Sequence, residues 1–245
     1  YACYRAADRG KFEAVLSEIK SRYQEIIDGL EFTLSLEEDF RIIEENFQKQ
    51  IGEEYAASRG EYLNGKVMAA YLGYEFVDPA EMIRFDGNGQ FDAEITELLV
   101  QKRLNGVDTA VVPGFYGAKE NGEIKTFSRG GSDVTGSILA GALDVELYEN
   151  WTDVSGVMVT DPRIIQNPKV IDTITYRELR ELSYMGATVL HEDAIFPVRK
   201  AGIPINIKNT NAPDDPGTMI VEDTCKKPPY TITGIAGKRG FCSLF

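Results

Sequence analysis

The segment 123–143 constrains the fold of this chain more than any other. A strand-like piece at 123–126 leads into Gly130 and Gly131, and a helix pattern of small residues covers 134–143. Two adjacent glycines let backbone N–H groups approach a ligand closely. The order of strand, glycine turn and helix predicts an α/β unit with an open turn at its centre.

Polar side chains flank this turn. Ser132 or Asp133 is placed to cap the helix, and the start of a helix suits an anion. Arg129 adds a planar guanidinium that matches a carboxylate or a phosphate. The segment is therefore a candidate anion-binding loop, and it equally fits an ordinary capped turn.

A second polar cluster covers residues 151–163. Thr152 and Asp153 come just past a strand-like run at 144–148, where open α/β sheets place their ligands. Arg163 supplies another fixed positive charge. Asp161-Pro162-Arg163 is also compatible with a simple turn, since Asp-Pro starts turns readily.

Strand and helix patterns alternate along the rest of the chain. Helices are predicted at 9–30, 35–51, 55–72, 93–104, 133–143, 176–185 and 193–201, and strands near 74–77, 108–112, 123–126, 145–148 and 203–207. Ser35 is expected to open a capping box. The inward faces of the first two helices are Phe12, Val15, Leu16, Ile19, Tyr23, Ile26, Ile27 and Leu30, then Phe40, Ile43, Phe47 and Ile51. The pattern predicts an α/β fold, a three-layer αβα sandwich with a mostly parallel central sheet.

Composition excludes several classes of function. The net charge of −13 argues against nucleic acid or an anionic membrane as the main partner. No apolar run is long enough to span a bilayer. Cys3, Cys225 and Cys242 are scattered and odd in number, so they indicate reduced thiols in a cytoplasmic protein. An anionic substrate would then need locally concentrated cations such as Arg129 and Arg163.

Six blocks in order give the chain a family resemblance. Over residues 55–220 it resembles the aspartate kinases of the amino acid kinase family. The blocks are Arg59-Gly60-Glu61, Gly114-Phe115-Tyr116-Gly117, residues 126–133, Trp151-Thr152-Asp153-Val154, Thr160-Asp161-Pro162-Arg163 and Gly186-Ala187-Thr188-Val189-Leu190-His191.

The resemblance implies transfer of the γ-phosphoryl group of ATP to the side-chain carboxylate of L-aspartate. The product would be 4-phospho-L-aspartate, on the route to lysine, threonine and methionine. ATP and Mg²⁺ are the expected cofactors, with the ion bound mainly by the phosphates and no protein metal site. Two alternatives stay open: another kinase of the family with a glutamate or nucleotide acceptor, or a non-catalytic amino acid or nucleotide sensor.

The resemblance also implies roles for single residues. Arg129 and Asp133 would be catalytic. The aspartate pocket would be formed by Glu61, Phe115, Thr126, Arg129 and Ser132, and the ATP site by Thr152, Asp153, Met158, Arg163, Thr188 and Val189. Met158 and Thr188 stand where many members have tyrosine and lysine. Glu61 also fits a solvated helix glutamate, and His191 fits a structural role at a turn.

The implied domain organisation is a catalytic domain at 1–224, with a helical insertion at 9–51, a linker at 225–229 and the start of an ACT regulatory domain at 230–245. Residues 230–237 alternate in polarity and are expected to form the first strand of that domain and a turn. The family's N-terminal Lys-Phe-Gly-Gly loop is not found before Tyr55. The chain is therefore expected to be part of a longer enzyme, a homo-oligomer through the missing ACT region, with L-aspartate as its small-molecule partner.

Overall fold

The computed structural model describes residues 1–6, 9–128, 130–184, 190, 192–224 and 231–237. The chain divides into two compact units, Tyr1–Gly131 and Ser132–Phe245. Each unit is described by itself below. No helix in the described ranges combines the length and the apolar character that a membrane crossing requires.

The first unit begins with helices and continues with short strands. Its elements are α1 (Arg9–Gly29), α2 (Glu37–Gln48), α3 (Glu53–Leu72), β1 (Glu75–Phe76), a 3₁₀ turn (Pro79–Glu81), β2 (Arg84–Phe85), α4 (Ala93–Leu104), β3 (Ala110–Val111), β4 (Tyr116–Lys119) and β5 (Ile124–Thr126). Strand β1 pairs with β3 in parallel. Strand β4 pairs with β2 in parallel and with β5 in antiparallel orientation.

The first three helices, α1, α2 and α3, share one apolar core. Its buried members include Phe12, Leu16, Ile27, Phe40, Ile43, Phe47, Leu63 and Val67, which confirms the predicted faces of α1 and α2. Two inward predictions are wrong: Leu30 is 37% exposed and Ile51 is 45% exposed. Both residues lie beyond the last residue of their helix, so the helical period no longer sets their direction.

The ends of the helices show which local signals are used. The predicted bounds of α4 are confirmed, and the Asp92 carboxylate accepts a hydrogen bond from the Ile95 N–H at 3.0 Å. Gly73 ends α3 with a φ of 70°. The capping box at Ser35 is wrong, because Leu36 occupies the N-cap position and Ser35 Oγ lies 3.5 Å from the Glu37 nitrogen.

The second unit consists of one four-stranded sheet and three helices in the described residues. Its elements are α5 (Gly131–Leu143, which starts at the last residue of the first unit), β6 (Tyr148–Thr152), β7 (Thr173–Thr175), α6 (Tyr176–Tyr184), α7 (Glu192–Ala201), β8 (Ile205–Asn209) and β9 (Thr218–Val221). The sheet order is β6-β8-β9-β7. The two outer pairs are parallel and the central β8–β9 pair is antiparallel. The predicted α/β class with mainly parallel pairing is confirmed.

The core of the second unit lies against this sheet. It contains Ile174, Leu179, Val198, Ile205, Ile207 and Ile220, all almost fully buried. Residues 205 and 207 are buried and residue 206 is partly exposed, the period of two that a strand with one covered face produces.

Two predicted strands differ from the structure. The strand at 145–148 is wrong, because β6 begins only at Tyr148. Asp144 has a φ of 50° and the Val145 N–H binds the Ala140 carbonyl, so these residues complete the end of α5. The described residues 231–237 form no strand, although Thr233 Oγ1 donates to Glu178 at 2.6 Å. The predicted linker at 225–229 and the remainder of the predicted ACT start lie outside the described residues.

Candidate active site

The glycine turn before α5 is required by packing. Gly130 has a φ of 55°, a left-handed conformation that favours glycine. A Cβ on Gly131 would lie 2.4 Å from the Cβ of Phe115. Any side chain at position 131 would therefore push Phe115 away.

Phe115 itself is held in an unusual conformation. Its φ is 64°, and its carbonyl accepts a hydrogen bond from the Phe127 N–H at 2.9 Å. Left-handed backbone at a bulky residue is strained and occurs often at functional sites. The strain supports Phe115 as a site residue.

The hydroxyl of Thr126 is engaged with a residue that the sequence did not single out. Glu54, in the first turn of α3, accepts hydrogen bonds from Thr126 Oγ1 at 3.1 Å and from Lys125 Nζ at 2.7 Å. Burial raises the pKa of Glu54, but these hydrogen bonds outweigh it, and the pKa lies below its ordinary value. Glu54 therefore fixes the end of β5 as a carboxylate.

Helix α3 presents one exposed and one buried charge at the Arg59-Gly60-Glu61 block. Arg59 is buried, and its guanidinium lies 4.4, 4.5 and 5.4 Å from the ring centroids of Tyr55, Tyr62 and Tyr116. Glu61 is exposed. The block thus combines a structural arginine with a glutamate that is accessible to a ligand.

Ser132 and Asp133 are the second and third residues of α5, so the prediction that one of them caps this helix is wrong. Asp133 is instead bound by side chains of the neighbouring strand. Asn150 Nδ2 donates to Asp133 Oδ1 at 2.9 Å, and the Tyr148 hydroxyl donates to the Asp133 carbonyl at 3.4 Å. Asn150 is buried. Neither Asn150 nor Tyr148 was proposed as a site residue from the sequence.

Thr152 and Asp153 lie where β6 ends. Strands β6 and β8 are parallel, with Thr152 opposite Asn209, so both strands end at the same edge of the sheet. The Thr152 carbonyl accepts a hydrogen bond from the Thr210 N–H at 2.8 Å, and Thr152 Oγ1 lies 3.4 Å from Asp153 Oδ1. Thr152 is the last residue of β6 and Asp153 follows it, so the pair lies at a strand end as predicted, although the strand covers 148–152 and not 145–148.

A polar chain joins the loops that follow these two strands. Asn209 Nδ2 donates to Ser155 Oγ at 2.8 Å, and Ser155 Oγ donates to Asp215 Oδ2 at 2.5 Å. A long-range contact of this kind leaves no signal in the local sequence, so the sequence does not predict it. The loop that carries Asp153 is therefore tied to the loop after β8.

Met158 and Arg163 lie in one hairpin-like segment. Met158 forms a bridge with Val170, and the turn at residues 161–163 follows. Arg163 pairs with Asp161, with Nη2 2.6 Å from Oδ2, while the Arg163 side chain stays 84% exposed. The Asp161 carboxylate also accepts the Arg163 N–H at 2.8 Å, so the predicted turn is confirmed.

The structure brings some predicted residues together and leaves others apart. Thr152 contacts Asp153, whereas no hydrogen bond joins Asp153 to Arg163 among the described residues. Arg129, Thr188, Val189 and His191 lie outside the described residues. Within the described ranges, no three His, Cys, Asp or Glu side chains cluster as a metal site.

Known proteins are similar to this chain in sequence and in fold. Residues 10–209 match the model of the amino acid kinase family. Aspartokinase 3 of Bacillus subtilis is 44% identical over 196 residues, which are 76% of this chain and 42% of that protein.

Two solved structures are also similar. The aspartate kinase of Clostridium acetobutylicum is 51% identical with a TM-score of 0.84, over 92% of this chain and 51% of the other. Aspartokinase III of Escherichia coli in complex with aspartate and ADP is 25% identical with a TM-score of 0.76, over 91% and 55%. The chain thus spans about half the length of these relatives. With its family match, its α/β fold and the glycine turn before α5, the chain belongs to the amino acid kinase family.

Proposed function

We propose that the protein carrying this chain is an aspartate kinase. It would phosphorylate the side-chain carboxylate of L-aspartate with ATP and form 4-phospho-L-aspartate and ADP. The observation that carries this proposal is the similarity to aspartokinases over about three quarters or more of the chain, at 44% and 51% identity. We place the reaction in the cytoplasm, as the first step towards lysine, threonine and methionine, in a homo-oligomeric enzyme.

Binding of aspartate would use charges of both signs. Arg129 would pair with a substrate carboxylate through two hydrogen bonds, and the exposed Glu61 of α3 would bind the ammonium group. Phe115, Thr126 and Ser132 would line the pocket. The strained backbone of Phe115 and the contact between Thr126 and Glu54 support a preorganised wall.

Binding of ATP would use the strand ends of the second unit. Thr152 and Asp153 would contact the sugar or base, Met158 would supply an apolar wall, and Arg163 would contact the phosphates. Thr188 and Val189 would add backbone contacts. Since Arg163 is already paired with Asp161, phosphate binding would require this exposed ion pair to open or be shared. Mg²⁺ would be held mainly by the phosphates and water.

The reaction needs no strong general base, because the attacking carboxylate is already deprotonated. A carboxylate oxygen of aspartate attacks the γ-phosphorus, the bond to the β,γ-bridging oxygen breaks, and ADP leaves without proton removal from the nucleophile. The protein's tasks are alignment and stabilisation of charge on the transferred group. Arg129 supplies positive charge, and Asp133 organises the positive groups around the phosphates.

The test is formation of acyl phosphate by the complete protein, trapped with hydroxylamine as the hydroxamate. Mg-ATP is supplied with L-aspartate, with L-glutamate as a matched acceptor that is one methylene longer, or with no acceptor. Hydroxamate with aspartate alone is the expected result. Hydroxamate with glutamate alone would assign a sister kinase, and no hydroxamate with either would refute the proposal.

A further inference from the structure

A closed polar triangle joins the start of α5 to strand β6. Asn150 is only 7% exposed. Its Nδ2 donates to Asp133 Oδ1 at 2.9 Å and to the Tyr148 hydroxyl at 3.2 Å. The Tyr148 hydroxyl donates in turn to the Asp133 carbonyl at 3.4 Å.

The triangle fixes the orientation of the buried amide. Both hydrogens of Nδ2 have acceptors, whereas a rotated amide would place its oxygen against the Asp133 carboxylate. Burying an amide without hydrogen bonds is costly, so the contacts hold Asn150 in one rotamer. Burial raises the pKa of Tyr148 and the Asp133 charge adds to it, which together outweigh the lowering effect of the hydrogen bond from Asn150. The hydroxyl is therefore a hydrogen-bond donor throughout the neutral pH range.

Close packing keeps the tyrosine in place. A Cβ on Gly136, one helical turn after Asp133, would lie 2.6 Å from the Tyr148 hydroxyl and 3.0 Å from the ring. The tyrosine thus occupies the space that the glycine leaves open. Its hydroxyl can therefore reach both Asn150 and the backbone of α5.

Only one oxygen of Asp133 is used by this triangle. Within the described part of the chain, Oδ1 accepts from Asn150 and no hydrogen bond reaches Oδ2. We propose that Asn150 and Tyr148 are positioning residues that fix the Asp133 carboxylate and leave its second oxygen for a cationic group of the phosphoryl-transfer site. This inference rests on the proposed kinase function.

The experiment is a double-mutant cycle on kcat in the complete protein. Asn150→Leu removes the amide at similar volume and should lower kcat by roughly tenfold to a hundredfold, because the carboxylate loses its orientation. KM for aspartate and for ATP should change by less than about threefold, because the groups that Asp133 orients are expected to act mainly on the charge that develops on the transferred phosphoryl group. In an Asp133→Asn background, Asn150→Leu should cause no further loss of kcat.

A matched control is Asn46→Leu, which removes another partly buried amide that donates to Tyr55 in the first unit. Tyr148→Phe is a milder second variant that keeps the ring and should lower kcat by about twofold to fivefold, so a failure of Asn150→Leu to fold leaves the test intact. Unchanged kcat in Tyr148→Phe and in folded Asn150→Leu would overturn the inference. The inference would also be overturned if the loss of kcat caused by Asn150→Leu multiplied with the loss caused by Asp133→Asn. Unmodified protein without hydroxamate activity would instead refute the proposed function, and this inference with it.

Discussion

Two acidic residues of the second unit are held in very different ways. Asp133 is bound by the buried Asn150, 17 residues away in sequence and on another element. Asp161 is bound by Arg163, two residues away, in an exposed turn. The first contact depends on the packing of a helix against a strand, and the second is complete within three residues.

The difference separates rigid from adaptable groups. A carboxylate held by a buried amide keeps one position, as a catalytic group requires. An exposed ion pair is screened by water and exchanges partners at little cost. We therefore expect changes around Asp133 to alter turnover, and changes in the 161–163 turn to alter nucleotide affinity only.

The largest effect is expected for Asp133→Asn. The change keeps the shape of the side chain and removes its charge, so kcat should fall by roughly a hundredfold or more. The measurement is hydroxamate formation at saturating aspartate and ATP. The control is Asp144→Asn, a matched change at an exposed residue after α5. If kcat of Asp133→Asn stayed within about twofold of that of the unmodified protein, Asp133 would have no role in catalysis.

Gly136→Ala should give the next largest effect. The new methyl group would lie 2.6 Å from the Tyr148 hydroxyl, so the ring must move and the contact with Asp133 is disturbed. We expect kcat to fall about tenfold and the free energy of unfolding to fall by about 1–3 kcal/mol. Gly29→Ala is the control, because no atom lies within 4 Å of a Cβ there. If Gly136→Ala and Gly29→Ala had the same kcat and the same free energy of unfolding, the Tyr148 ring would have to move aside without cost.

Glu54→Gln tests a contact of intermediate exposure. The pKa of Glu54 is lowered in the folded state, so its stabilising contribution is present above the unfolded pKa of about 4.3 and is lost as pH falls through the folded value. The melting temperature of the variant at pH 7 should be about 2–4 °C lower than that of the unmodified protein. The difference should shrink below pH of about 4.

Thermal unfolding between pH 7 and pH 3 measures this difference, with the exposed Glu120→Gln as control. A Glu54→Gln melting temperature equal to that of the unmodified protein at pH 7 would mean that the contact with Lys125 and Thr126 contributes nothing to stability.

The smallest effect is expected for Arg163→Ala. The side chain is 84% exposed, so the melting temperature should shift by less than about 2 °C. KM for ATP should rise by about threefold to tenfold while kcat and KM for aspartate stay unchanged. Arg177→Ala on the exposed face of α6 is the control. A large loss of kcat would contradict the adaptable character assigned to this turn.

Sequence reasoning succeeded where structure is local. The helix predicted at 93–104 has the same bounds in the structure, and the turn at Asp161 follows from Asp-Pro. It failed where contacts join distant residues, since Glu54 lies 72 positions before Thr126 and neither local pattern reveals the partner. The start of β6 was misplaced because residues 144–145, although they read as strand, complete the end of α5.

The same limit applied to the candidate site. The glycine turn and a strand end close to Thr152 were predicted from local order, although the predicted strand ended at 148 and β6 ends at Thr152. The role of Gly131 depends on Phe115, 16 positions earlier and in a strained conformation. The buried partners of Asp133 carry no motif of their own. Tyr148 and Asn150 look like ordinary strand residues until the helix is packed against them.

The most direct test of the account asks which carboxylate of aspartate receives the phosphoryl group. The complete protein is incubated with Mg-ATP and L-aspartate, and the acyl phosphate is reduced with borohydride, which converts the phosphorylated carboxyl group to an alcohol. The expected product is homoserine, which forms by reduction at the side-chain carboxylate. Formation of 3-amino-4-hydroxybutanoate, or of no amino alcohol, would contradict it.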